Sequence, residues 1–182
     1  VSMKDRKLLS FKNNSLTEVA DLSQLAGFHC NDMVVDDHGN AYIGNFGFNT
    51  YSGEELKAAN MILVRPGEDP CIAAKDLLFP NGTVITPDGK TLVVAETYAA
   101  RLTAFDINQD ATLSNRRIWA DLSINAQEGG IPAPDGMCLD AEGAMWVASP
   151  STAEVIRIKE GGNILERIPV STNAYACMLG GD

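Results

Sequence analysis

Apolar residues in this chain come in short runs of four or five, with almost no helical spacing, and polar turns containing glycine separate the runs. Three stretches are superimposable. They are Asn31-Asp32-Met33-Val34-Val35-Asp36-Asp37-His38-Gly39, Asn81-Gly82 through Pro87-Asp88-Gly89, and Asp135-Gly136-Met137-Cys138-Leu139-Asp140-Ala141-Glu142-Gly143. Each runs from a polar residue to a turn glycine eight positions on, and the units start 50 and then 54 residues apart. A period of that length predicts an array of similar units. After each glycine comes a β-prone run, Ala41-Tyr42-Ile43-Gly44, Thr91-Leu92-Val93-Val94-Ala95 or Ala144-Met145-Trp146-Val147-Ala148, so every unit opens with a hairpin.

A second hairpin follows in each unit: Met61–Val64 with Cys71–Ala74, Arg101–Phe105 with Arg116–Trp119, and Val155–Ile158 with Ile164–Ile168. Four short strands per unit of roughly 45 to 50 residues predict an all-β fold of β-propeller blades. The expected organisation is one partial propeller domain of about three and a half to four blades. It divides into the outer hairpin of a blade in residues 1–28, blades at 29–79, 80–133 and 134–172, and the inner strand of a next blade in 173–182. Its first and last strands are then expected to pair with missing blades or another chain, because open sheet edges recruit partners.

Propeller blades present their innermost strands to the central axis, so Asn31, Asn81 and Asp135, at equivalent positions, should converge there. Pro80 and Pro134 lack a backbone donor and suit the first residue of a strand, which puts Asn81 and Asp135 at strand entrances. Hard cations take six to eight oxygens from carboxylates, amide carbonyls and water. Two amides and one carboxylate therefore point to a divalent cation; the competing reading has these side chains capping turns and binding channel water. Repetition at equivalent positions favours the cation. A further acidic ligand is expected from outside the chain, since one carboxylate under-neutralises a dication.

Asn45, Glu96 and Ser149 stand where the second strand of each unit returns to the same end. Glu96 reads either as a substrate-binding or supporting acid at the pocket or as an exposed loop residue. His29, two residues before Asn31, reads either as a substrate contact on the same side of the strand or as a strand-entry histidine without a role in chemistry. His38 belongs to a solvated turn.

Composition narrows the partners. The 182 residues are 45% hydrophobic and 21% charged, as in ordinary soluble domains, and carry a formal net charge of −10 without a basic cluster. No nucleic acid or anionic membrane is expected as a partner. No apolar run reaches the length of a membrane span, and the start lacks a signal-peptide core. The four cysteines, Cys30, Cys71, Cys138 and Cys177, have no paired metal spacing and read as reduced, mostly buried thiols in a cytoplasmic setting. No Gly-x-Ser-x-Gly elbow, His-Glu-x-x-His pair, Walker loop or dinucleotide glycine pattern occurs.

Pro134-Asp135-Gly136-Met137-Cys138-Leu139-Asp140-Ala141-Glu142-Gly143 followed by Met145-Trp146-Val147-Ala148 closely resembles the gluconolactonase, regucalcin (senescence marker protein, SMP-30) and luciferin-regenerating enzyme family. Phe79-Pro80-Asn81-Gly82, Ser114-Asn115-Arg116-Arg117 and Cys177-Met178-Leu179-Gly180-Gly181 extend the resemblance from about Asn31 to the end. It implies a six-bladed propeller that hydrolyses lactones of sugar acids or related small esters. One divalent metal is implied in its channel, calcium first, with Zn2+, Mg2+ or Mn2+ as alternatives. Residue by residue, it assigns metal ligation to Asn81 and Asp135 and substrate or water contact to Asn31, with Asp135 also the candidate catalytic base. Two features depart from the family. Its acidic metal ligand, a glutamate in a Glu-Gly-Pro-like motif, has no counterpart, and His29 stands where an arginine is frequent, so the sugar-acid preference does not carry over. The alternatives are a related propeller esterase or organophosphate hydrolase, and a non-catalytic propeller that binds calcium or a protein.

Overall fold

The computed structural model describes residues 1–127 and 129–180. The chain is built almost wholly of antiparallel strands. A hairpin of β1 (Lys7–Lys12) and β2 (Ser15–Asp21) precedes three four-stranded sheets in simple up-and-down order. The first sheet contains β3 (Cys30–Val35), β4 (Ala41–Asn45), β5 (Ala59–Val64) and β6 (Cys71–Leu77). The second contains β7 (Pro80–Ile85), β8 (Thr91–Glu96), β9 (Arg101–Ile107) and β10 (Leu113–Asp121). The third contains β11 (Met137–Leu139), β12 (Met145–Ser149), β13 (Glu154–Ile158) and β14 (Ile164–Pro169). Each sheet is a propeller blade in form, so the fold class is the all-β propeller class.

Local chemistry explains the turns. Gly39, Gly89 and Gly143 close the first hairpin of each sheet at φ values of 85°, 70° and 75°, a region that disfavours any side chain. An aspartate precedes the glycine of each turn and accepts the turn's amides: Asp36 from His38 and Asn40, Asp88 from Lys90, and Asp140 from Glu142 and Ala144.

Residues fall into two compact units, Val1–Pro80 with Asn108–Leu113 and Asn81–Ile107 with Ser114–Asp182. The core of the first gathers Leu8, Leu22, Cys30, Ile43, Ile62 and Val64. In the second, Val93, Leu102, Trp119, Met145, Val147 and Ile156 interlock. Middle strands are apolar on both faces, as in β8 with Leu92, Val93, Val94 and Ala95 fully buried, whereas the outer strands β6, β10 and β14 turn many side chains to water. Truncating a buried Met145 or Ile156 to alanine should cost roughly 2–5 kcal/mol.

Two segments depart from a regular ladder. Residues 173–180 form no strand: Gly136 N–H donates to Tyr175 O, but no ladder forms along the segment, and residues 181 and 182 lie outside those described. The β3–β4 ladder also shifts register between Cys30, opposite Asn45, and Met33, opposite Ile43. The shift interrupts strict alternation at Asn31 and Asp32.

Candidate functional site

In the second unit, Asn81 occupies the second position of β7 and is 4% exposed. Its Nδ2 donates to Thr97 Oγ1 at 3.2 Å, and Thr97 Oγ1 in turn donates to the Pro134 carbonyl at 2.7 Å. Thr97 reaches both because β8 ends at Glu96 and the chain tightens into a 3-10 turn at Thr97–Ala99. Committing the amide nitrogen turns Asn81 Oδ1, the atom a metal would use, to the opposite edge of the amide plane.

Asp135 is half-buried just ahead of β11. Its backbone is set by Asp135 N–H to Ala148 O and by Ala148 N–H to Gly136 O, both 2.9 Å. The glycine after each polar residue has a steric reason. A Cβ on Gly82 would lie 2.4 Å from the Asp135 carbonyl oxygen, and one on Gly136 would lie 2.8 Å from that of Tyr175. Only glycine admits the next backbone so closely, and the approach brings the Asn81 and Asp135 backbones side by side. The fold therefore juxtaposes the two residues expected to hold metal. Both supply hard oxygen, which fits calcium-like chemistry, while two ligands fall short of a full shell. Among the described residues, no three His, Cys, Asp or Glu side chains gather in a metal-holding group.

The strand-end residues differ from expectation. Asn45, Glu96 and Ser149 are all 0% exposed, so Glu96 is neither an exposed loop residue nor positioned at an open rim. Arg101 grips its carboxylate at 2.9 and 3.1 Å, Arg116 at 3.1 Å and Thr103 Oγ1 at 2.5 Å. A buried carboxylate needs such partners, and with them Glu96 forms a structural hub. Asn45 Oδ1 accepts the Gly27 and Gly47 amides while its Nδ2 donates to Asn60 O. Ser149 Oγ accepts the Ala133 amide and pairs with Thr152 Oγ1 at 2.7 Å. Asn45 and Ser149 thus hold loops beside their strand ends, whereas Glu96 ties the end of β8 to β9 and β10. The Ser114-Asn115-Arg116-Arg117 motif is explained in the same way. Arg116 serves Glu96, while Asn115 and Arg117 bind Asp106 at 3.0 and 2.6 Å and hold its carboxyl below the usual range.

In the first unit, Asn31 is half-buried and its Nδ2 donates to Pro80 O at 3.2 Å. Its neighbour Asp32, also within the register shift, is open to water on one side. Desolvation by protein on the other side raises its carboxyl above the ordinary range. Sequence periodicity alone gave Asp32 no prominence, because the register shift that re-aims it leaves no simple sequence signal. His29 lies ahead of β3, so strand alternation does not set its side relative to Asn31. Its ring stacks on Phe28 at 4.0 Å and 21°, and lies 5.8 Å from Tyr51 and 5.9 Å from Phe46. His29 Nδ1 is buried without a hydrogen-bond partner. His38 sits in its turn as expected.

The cysteines are free, with Cys30 and Cys138 buried and Cys71 and Cys177 half-buried. No described helix is long and apolar enough to cross a membrane.

Comparison with known proteins agrees with this architecture. Regucalcin of Danio rerio is 26% identical over 170 residues, covering 92% of this chain and 55% of that protein. A calcium-binding protein, regucalcin, from Agrobacterium tumefaciens superposes with a TM-score of 0.76 at 26% identity, covering 94% of this chain and 57% of the other. A gluconolactonase from Xanthomonas campestris gives 0.73 at 27% identity, covering 96% and 59%. This chain thus spans little more than half the length of these relatives. The SMP-30/Gluconolactonase/LRE-like region matches residues 1–182 in full, and the chain belongs to that family.

Proposed function

We propose that the protein is a divalent-cation-dependent hydrolase of lactones or related small esters, with Asn81 and Asp135 contributed by this chain as oxygen ligands. The observation that carries this reading is the pairing of the two residues: Asn81 tied through Thr97 to the Pro134 carbonyl, and Gly82 opening the way for Asp135. Kinship with proteins named regucalcin and gluconolactonase supports it. Calcium is the first candidate, from donor chemistry and from the calcium-binding relative. When bound, such a cation polarises the scissile carbonyl and acidifies water.

The residues of the chain supply the rest. Asp135 takes the proton of the attacking water on a carboxylate oxygen and returns it to the ring oxygen as the carbon–oxygen bond breaks. Thr97 fixes the Asn81 amide, so its carbonyl is preorganised rather than free to rotate. Asn31 and His29 contact the substrate, and Glu96 positions the β8–β9 turn.

The test is a panel of lactones and esters assayed with chelator and with Ca2+, Zn2+, Mg2+ or Mn2+ restored. Asp135→Ala should abolish cation binding in calorimetry and lower kcat/KM at least about 100-fold. An Asp135→Ala protein that is active with its metal site full would refute the assignment. Stoichiometric calcium binding with no turnover across the panel would instead establish a non-catalytic propeller.

A further inference from the structure

Two of the four thiols meet within the second unit. Cys138 is the middle residue of β11, where it pairs with Trp146 of β12, and Cys177 lies 39 residues further along, in the segment at 173–180. Cys177 Sγ donates to Trp146 O at 3.3 Å and to Gly136 O at 3.7 Å. It therefore rests on the carbonyl of Cys138's cross-strand partner and on that of the residue two before Cys138. The two backbones are already drawn together at Gly136, whose N–H donates to Tyr175 O at 2.9 Å. A Cβ there would lie 2.8 Å from that oxygen and 2.9 Å from Ala176 Cα. Two residues beyond this contact, each segment carries a cysteine.

Three features set the pair apart from cysteines that only fill a core. The thiols are near enough to act on each other: burial first, and then Cys138, pushes the Cys177 thiol up to about 12. Both are free, with Cys138 buried and Cys177 half-buried, so Cys177 is the one open to an oxidant. The segment that carries Cys177 joins no ladder, so its sulfur can close on Cys138 without breaking a sheet.

We propose that Cys138 and Cys177 form a reversible disulfide that clamps residues 173–180 onto β11. With hydrogen peroxide as the oxidant, the Cys177 sulfur attacks one peroxide oxygen, the O–O bond breaks, and a first water leaves Cys177 as its sulfenic acid. The Cys138 sulfur then attacks that sulfur, the S–O bond breaks, and a second water carries off the Cys138 proton. The two thiols lose two electrons in all and the peroxide gains them. The high value at Cys177 keeps thiolate scarce at neutral pH, which suits the pair to sustained oxidising conditions rather than to a brief pulse. Gly136 adjoins Asp135, so the clamp also fixes backbone beside the proposed cation ligand, yet it forms whether or not Asp135 takes part in hydrolysis.

The test exposes the 182-residue chain to hydrogen peroxide, alkylates the remaining thiols, and reads intact mass and peptide map without reductant. The expected product is a monomer with Cys138 joined to Cys177, two fewer alkylated cysteines, and reversal by dithiothreitol. Its Tm should rise by roughly 4–16 °C over that of the reduced chain. Cys138→Ser and, on the half-buried side, Cys177→Ser should each abolish both the link and the rise in Tm, whereas Cys71→Ser should leave both intact. Sulfinic or sulfonic acid at Cys177, or linked dimers, in place of the internal disulfide would overturn the proposal. So would an internal link that leaves Tm unchanged or lowers it, because the segment would then not be clamped.

Discussion

The ends of β4 and β8 occupy the same place in their sheets and solve the same problem with opposite chemistry. At the end of β4, neutral Asn45 satisfies two glycine amides and a carbonyl, and rings pack beside it. At the end of β8, Glu96 carries a buried charge balanced by two arginines, and polar Thr97 reaches toward Asn81. The comparison teaches that equivalence in a repeat fixes the architectural duty of a residue, here tying down a buried strand end, and leaves its chemistry free to diverge. Aromatic surroundings make one end apolar, while an ion-paired carboxylate and hydroxyls make the other polar.

The strongest test attacks the close approach that the second unit depends on. Gly82→Ala inserts a Cβ against the Asp135 carbonyl and should cost about 1–3 kcal/mol or more in urea unfolding, with cation affinity falling alongside. Gly129→Ala, where a Cβ meets nothing, should change stability by under about 0.5 kcal/mol. Equal effects would erase the distinction.

Next comes the charged hub. Glu96→Gln should destabilise by about 2 kcal/mol, below the roughly 3–5 kcal/mol of a fully buried broken pair, since Arg101 and Arg116 keep 30% and 35% of their side-chain surface in water. Ser149→Ala, at the matching position of β12, should cost only about 1 kcal/mol. Chemical denaturation of both variants measures the contrast, and a larger loss from Ser149→Ala would invert it.

Asn31→Ala should raise KM a few-fold and leave calcium affinity by calorimetry unchanged, because its proposed contact is with substrate or water. Loss of calcium equal to that in Asp135→Ala would contradict this division of labour.

The smallest effect is pH-dependent. Arg157 donates to Asp140 at 2.7 Å and holds its carboxyl below the usual range. That stabilisation is complete above the unfolded carboxylate range and disappears as pH falls through the lower folded value. Asp140→Asn should therefore lower Tm by about 2–4 °C at pH 7, with the gap closing in strong acid. Melting curves of both proteins across pH decide it.

The hairpins were legible in the sequence because turn glycines and β-branched runs act locally. The equivalent strand-entrance placement of Asn81 and Asp135 was legible because repetition exposes equivalent positions. The burial of Glu96 was not legible: its partners come from β9 and β10, and a strand-end acid looks the same in sequence whether solvent or arginine meets it. Nor was the His29 environment legible, since Phe46, Tyr51 and Phe79 are separated along the chain and meet only through the ladder and a left-handed Phe79. No ladder forms along residues 173–180, since a β-prone run becomes a strand only with a ladder partner.

Tyr42 sets a timetable for synthesis. It is fully buried in β4, burial pushes its phenol up to about 12, and its hydroxyl donates to Ala111 O at 2.9 Å, 69 residues later. Arg65 Nε makes a similar forward reach to Asp110 O at 2.7 Å. A nascent chain that has already laid down β3 to β6 still carries these donors without their native acceptors. They find them only when the turn at 108–113 emerges. The first sheet thus completes its hydrogen bonding only after much of the second has been made, and a ribosome pausing before residue 111 would hold an unfinished blade.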